Sequence, residues 1–248
     1  MAIVISDIHG DIKKARTFLE YRPDIEHVIL GDLVDSFNFG STLQKELECL
    51  ALILKSDTIL LWGNHDLAYT DKPCWPPYSR FPDSFKPISD MIIPHMGRFK
   101  VAHAVGGWLC THAGVSTTLA KNLPALPMDS HDPEHIADWL NVEFVRQRSQ
   151  ARPQTGQYQY YGAGPLFAID GSRGGDDKYG GIFWYDHQRE LAEPDPRAKQ
   201  LFGHTHVPGP LKRDSWANIN IEDGLVLYGF DTELNDFVIL SRAEHRKC

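Results

Sequence analysis

The stretch AIVISDIHGD, residues 2–11, runs four apolar residues straight into two aspartates, a histidine and a glycine. An unbroken apolar run bounded by a turn signal reads as a buried strand. The groups that follow resist burial unless something compensates them. Beyond this knot, Ile12 to Tyr21 reads as a helix, with Ala15, Phe18 and Leu19 on one face. His27 to Leu30 is a second apolar strand. Ser41 and Gln44 form a capping-box pattern ahead of Leu47, Leu50, Leu52 and Leu54, which predicts a second helix. Thr58 to Trp62 is a third strand. Strand, helix, strand, helix, strand implies parallel pairing through right-handed crossovers in an α/β fold. In such sheets the ligand crevice lies beyond the carboxyl ends of the strands.

The same knot recurs along the chain. HVIL runs into Gly31-Asp32-Leu33-Val34-Asp35, TILLW into Gly63-Asn64-His65-Asp66, WLC into Thr111-His112-Ala113-Gly114, and QLF into Gly203-His204-Thr205-His206. If these ends lie side by side, Asp7, His9, Asp32, Asn64, His112, His204 and His206 converge on one crevice. Carboxylate and imidazole lone pairs packed that densely call for cations between them. A donor set of imidazole, carboxylate and amide, without thiolate, suits Mn, Fe, Zn, Ni or Mg and does not choose among them.

The remainder of the chain adds loops and a β-rich second half. Residues 71–94 are rich in proline and aromatics and read as a long surface segment, with about 70–97 as a loop insertion. Arg98 to Val105 and Trp108 to Cys110 read as paired strands around Gly106-Gly107. Asp132, with Pro133 after it, predicts a helix through Trp139, Phe144 and Val145. A Gly/Tyr-rich loop spans about 151–181. Strands are expected at Ile182 to Tyr185, Gln200 to Phe202, Trp216 to Ile221, Leu225 to Phe230 and Phe237 to Leu240. With 248 residues, 42% of them hydrophobic, the chain can bury a large core and is expected to form a single domain over 1–248.

A net charge of -8 argues against nucleic acid as a partner, because phosphate backbones select clustered Lys and Arg. The four cysteines, Cys49, Cys74, Cys110 and Cys248, stand far apart without a CxxC pair, so reduced thiols in a cytoplasmic protein are expected. No apolar run approaches the ~20 residues that span a bilayer, and no leader opens the chain; no membrane association is expected.

In that order, DxH, GDxxD, GNHD, a further His and GHTH resemble the calcineurin-like metallophosphoesterases, and the resemblance runs from Asp7 to His206. It implies two packed mixed β-sheets flanked by helices. It also implies two divalent metal ions, with manganese the first expectation: Asp7, His9 and His206 on one, Asn64, His112 and His204 on the other, and Asp32 bridging. Two metals ~3.5 to 4 Å apart activate a bridging hydroxide for in-line attack on phosphorus. His65 is then the expected proton donor to the leaving group, with Asp35 holding its imidazole. As an alternative, Asp35 is a helix cap.

The subfamily is left open by the residues around these motifs. GDLVD and GNHD are similar to the phosphoprotein phosphatases, which usually follow the first motif with Arg-Gly and carry another Arg after the second; here Ser36-Phe37 and Asp66-Leu67-Ala68 stand instead. Losing two bidentate clamps weakens monoester binding unless another guanidinium replaces them, and Arg173 is the candidate. GNHDL and HAGV are similar to symmetrical diadenosine tetraphosphatases, and GHTH to the wider phosphodiesterase-containing superfamily. The expected activity is phosphomonoester hydrolysis, with serine/threonine phosphoproteins as one substrate class and nucleotides or small molecules as others. The alternatives are hydrolysis of dinucleoside polyphosphates or phosphodiesters, and a catalytically silent binding scaffold. His27, His95, His103, His131, His135, His187 and His245 read as ordinary surface or core residues. Trp75, Tyr78, Phe81 and Phe85 read as packing of the long segment rather than as a substrate wall.

Overall fold

A computed structural model describes residues 1–123, 125–127, 131–153 and 157–242; Cys248, His245 and part of the Gly/Tyr-rich loop lie outside that range. Two sheets lie face to face. The first has the order β11-β10-β1-β2-β3-β4 and the second β5-β6-β7-β9-β8. In the first, β1 (Ala2–Ile5), β2 (Glu26–Ile29), β3 (Ile59–Leu61) and β4 (Phe99–Lys100) run parallel. The antiparallel pair β10 (Val226–Asp231) and β11 (Asp236–Arg242) extends it beyond β1. In the second, β6 (Trp108–Thr111), β7 (Gln200–Phe202) and β9 (Trp216–Asn218) are parallel, flanked by antiparallel β5 (Ala102–Val105) and β8 (Leu211–Lys212).

Alternation along the strands explains the unbroken apolar runs. Ala2, Val4, Val28, Leu30 and Leu61 face across to Trp108, Cys110, Leu201 and Ala217, forming the layer between the sheets. Ile3, Ile5, Ile29 and Leu60 face the other way, into the core with Ala15 and Phe18 of α1 (Ile12–Glu20) and Leu50 and Ile53 of α2 (Leu43–Lys55). A strand buried on both faces has no polar side to alternate with. The second sheet is covered by α5 (Pro133–Arg148), which Asp132 caps by accepting from Glu134 N at 3.0 Å, as its sequence predicts.

Several expectations are corrected. The cap of α2 is Thr42, accepting from Lys45 N at 3.3 Å, one residue past the Ser41–Gln44 pattern. Arg98 to Val105 is not one strand: β4 joins the first sheet and β5 the second. The segment at 70–97 is largely structured, holding α3 (Phe85–Ile92), the 3-10 turns Ile93–Arg98, and fully or nearly buried Cys74 and Trp75. Ile182 to Tyr185 is a turn, with Trp184 N and Tyr185 N both donating to Gly181 O at 3.0 and 2.9 Å. All four of its residues are buried, so this apolar run plugs the core without joining a sheet. The loops after β1, β2, β3, β6 and β7 carry the polar knots, and the parallel pairings bring them to one edge of the sandwich.

Candidate metal centre

Cross-links between these loops set the site before any side chain is considered. Asp7 N donates to Gly31 O at 3.1 Å, His9 N to Asp32 O at 2.9 Å and Gly203 N to His112 O at 2.7 Å. The loops approach so closely that glycine is required. A Cβ on Gly63 would lie 2.1 Å from Asp32 Oδ1, and one on Gly203 would lie 1.8 Å from Ser6 Oγ. Asp7, His9, Asp32, Asp35 and His204 all adopt positive φ, five of the eight non-glycine residues that do so among the described residues. Strained backbone of this kind persists where the surroundings over-determine it, and it clusters at functional sites.

Asp32 stands at the centre. His9 Nε2 is 3.7 Å from Asp32 Oδ2, His112 Nε2 3.5 Å and His65 Nε2 4.0 Å. His9, Asp32 and His65 form one group of atoms able to hold a metal ion, and Asp32, His112 and His204 a second. His9 Nδ1 lies 2.9 Å from Val34 O and His112 Nδ1 2.7 Å from Leu30 O. A carbonyl only accepts, so Nδ1 donates in both rings, and in the neutral form each ring turns an Nε2 lone pair to the cluster. His112 Nε2 then meets Asn64 Oδ1 at 2.9 Å and His204 Nδ1 at 3.2 Å. His204 Nε2 is buried with no partner. An amide, a carboxylate and imidazole nitrogens packed at this spacing, one nitrogen orphaned, are a donor set that a divalent cation fits.

Asp7 joins this edge through its carboxylate, which accepts from Ser6 Oγ and from His204 N at 3.1 Å and lies 3.8 Å from His9 Nε2. His206 is placed differently from the other expected ligands. Its side chain is 46% exposed and its Nδ1 lies 2.9 Å from Glu222 Oε1, and neither Asp32 group includes it.

Charge in the site is unbalanced. Burial works against ionised Asp7, yet hydrogen bonding to His9 and the charges of His112 and His9 hold it far below the usual carboxylate range. Burial likewise opposes protonated His9, but Asp7 and Asp32 outweigh it and raise its pKa to about 9. His204 is pushed well down, first by burial and then by His112 and Arg173. Protons thus answer part of the negative charge where a cation would answer it better.

The His65–Asp35 pair is formed. His65 Nδ1 is 2.8 Å from Asp35 Oδ2, and Asp35 also accepts from Tyr69 Oη and from Tyr78 N at 3.2 Å. Asp35 caps no helix. Arg173, in a 3-10 turn at Gly171–Arg173, sends Nη2 to Thr205 Oγ1 at 3.1 Å and to buried Asp186 Oδ2 at 2.9 Å, and its Nε is buried without a partner.

Four supporting residues escape the sequence reading. Asp66 accepts from Asp32 N at 2.9 Å, Gly63 N at 3.0 Å and Leu33 N at 2.8 Å, tying two metal-site loops together. Burial and the charge on Asp32 raise its pKa to about 6 despite those donors. Glu46 accepts from Asp35 N at 2.6 Å, Trp75 Nε1 donates to Asn64 O, and Asp186 holds Arg173. Only Asp66 carried a signal, as the last letter of GNHD; the others bond across the fold from unremarkable sequence.

The calcineurin-like phosphoesterase family model matches residues 2–208. No curated protein matches. Among solved structures, a Saccharomyces cerevisiae protein serine/threonine phosphatase with similarity to human phosphatase PP5 superposes with a TM-score of 0.51 at 13% identity, covering 99% of this chain and 81% of that one. TT1561 of Thermus thermophilus gives a TM-score of 0.39 at 8% identity, covering 96% of each chain. Together with the sandwich fold and the paired His/Asp groups, the family match over this span establishes that the chain belongs to the calcineurin-like phosphoesterases and is a metal-dependent phosphoesterase.

Proposed function

We propose that the chain hydrolyses phosphomonoesters at a dinuclear centre held by Asp7, His9, Asp32, Asn64, His112, His204 and His206, with manganese the first candidate. The donor types support the metal class, and His206 completes the set if its imidazole leaves Glu222. A bound pair of divalent cations supplies Lewis acidity, lowering the pKa of water and neutralising phosphoryl oxygens. Asp35 accepts from His65 Nδ1 at 2.8 Å and thereby stabilises the imidazolium; His65 Nε2, turned toward Asp32, delivers its proton to the departing oxygen. This dyad carries the reading, since a scaffold without turnover has no use for a held proton donor.

Arg173 supports the monoester form of the proposal. A monoester phosphoryl group carries more charge than a diester and gains more from a guanidinium. Arg173 is 22% exposed and lies near enough to His204 to depress its pKa. Phosphoserine or phosphothreonine in proteins is one substrate class this reading admits, beside nucleotides and small phosphate esters. A second reading rests on a cavity of about 440 Å³ beside Asp7 and His9, where Lys13 and Lys45, set among Asp11 and Glu222, could meet the further phosphates of a dinucleoside polyphosphate. Rates of manganese-loaded protein on phenyl phosphate, bis-phenyl phosphate and a dinucleoside tetraphosphate decide among these. The monoester is expected to lead; a leading diester or polyphosphate overturns it.

A further inference from the structure

Exposed aromatic side chains gather at one place beside the metal centre. Phe37 is 57% exposed, Tyr78 50% and Phe39 97%. The ring of Phe37 stands edge-on 4.7 Å from His9 and 5.6 Å from His65. The ring of Tyr78 lies 5.2 Å from His65 and 5.9 Å from Trp184, which itself stands 5.7 Å from His204. The positions are fixed, not accidental. Tyr78 N donates to Asp35, the residue that holds His65. Arg80 lies over Phe39 at 5.5 Å and over Phe81 at 4.9 Å, and sends Nη2 to Ser41 O at 2.8 Å, so the loop bearing Phe37 and the loop bearing Tyr78 are tied together.

On the reading that His65 protonates the leaving oxygen, the leaving group has to sit against His65, and Phe37 and Tyr78 are the half-open surfaces there. Aromatic rings prefer edge-to-face or offset partners and leave apolar faces in water until one arrives. We infer that Phe37 and Tyr78 form a slot for a planar ring on the leaving group, so that the favoured substrates are phosphate esters whose alcohol carries an aromatic ring, in an aryl residue or a nucleoside.

The slot is tested on the whole, manganese-loaded chain with two pairs of probes. Benzyl and butyl phosphate differ in the ring while their leaving alcohols differ little in acidity; benzylphosphonate and butylphosphonate cannot be hydrolysed and read binding alone. The benzyl member of each pair is expected to be favoured roughly tenfold, in KM for the esters and in Kd for the phosphonates. In Phe37→Leu/Tyr78→Leu, which keeps apolar bulk, both ratios are expected to fall toward one. Equal Kd values for the two phosphonates in the wild type, or a preference that survives the double substitution, overturn the slot. Preference among phosphonates without hydrolysis of any ester overturns the phosphoesterase mechanism and leaves the slot standing. Phosphotyrosine peptide against AMP, each compared with phosphoserine peptide, then tells a tyrosyl ring from a base.

Discussion

Asp66 shows how one side chain organises the site without touching a substrate. Its two oxygens accept from three backbone N–H groups in the loops after β2 and β3, and the residue is fully buried. Asp66→Ala strands those donors, each at about 1–3 kcal/mol. Urea unfolding is expected to show a loss of several kcal/mol, and Asp66→Asn, which keeps one acceptor oxygen, a smaller one. In the proposed mechanism Asp35 acts through chemistry instead. Asp35→Asn no longer stabilises the imidazolium of His65, so kcat on an alkyl phosphate is expected to fall about 10²-fold. The rate on 4-nitrophenyl phosphate, whose leaving group needs no proton, is expected to change little; equal losses on both would remove the proton donor from the mechanism. That Asp7, His9, Asp32, Asn64, His112 and His204 meet at one edge was legible because each follows an apolar strand. Glu46, Trp75 and Asp186 were not, because each bonds to a residue at least 11 positions away in the chain.

At the level of elements, strands buried on both faces announced themselves, whereas Ile182 to Tyr185 misled for the same reason. An apolar run reports burial, and only hydrogen bonding decides between strand and turn. The short strand β8 at Leu211–Lys212, half-buried at the sheet edge, left no apolar run to read. The contact between the loops after β1 and β7 makes a sharp test. In Gly203→Ala the new methyl would meet Ser6 Oγ and Asp7 Oδ2 at 1.8 and 2.4 Å, so the two loops must part. Stability is expected to drop by about 2 kcal/mol or more, with weakened metal uptake seen by calorimetry. The core is equally closed to reagents. Burial pushes the Cys49 and Cys74 thiols up to about 12 and Cys110 in the same direction. The reactive form is the thiolate, and at pH 8, far below those values, all three stay protonated. Peptide mapping after treatment with a thiol reagent is expected to find them unlabelled in the native protein and labelled in urea.

For the molecule as a whole, two sheets sharing one apolar layer bring five loops to a single edge, so metal bound there is expected to stabilise the fold. Each metal bound at 100 times its Kd is expected to add about 2.7 kcal/mol, raising Tm by roughly 5–10 °C per ion at about 2–4 °C per kcal/mol for a chain of this size; EDTA is expected to reverse the rise. Among the described residues no helix is long and apolar enough to cross a membrane. Asp32 is proposed to join two metal sites in one crevice, and native mass spectrometry of the manganese-treated chain counts the ions it holds. Two ions per chain are expected in the wild type and neither held tightly in Asp32→Ala. A wild-type chain that takes up one ion or none, or an Asp32→Ala chain that keeps both, rules out a shared site at Asp32.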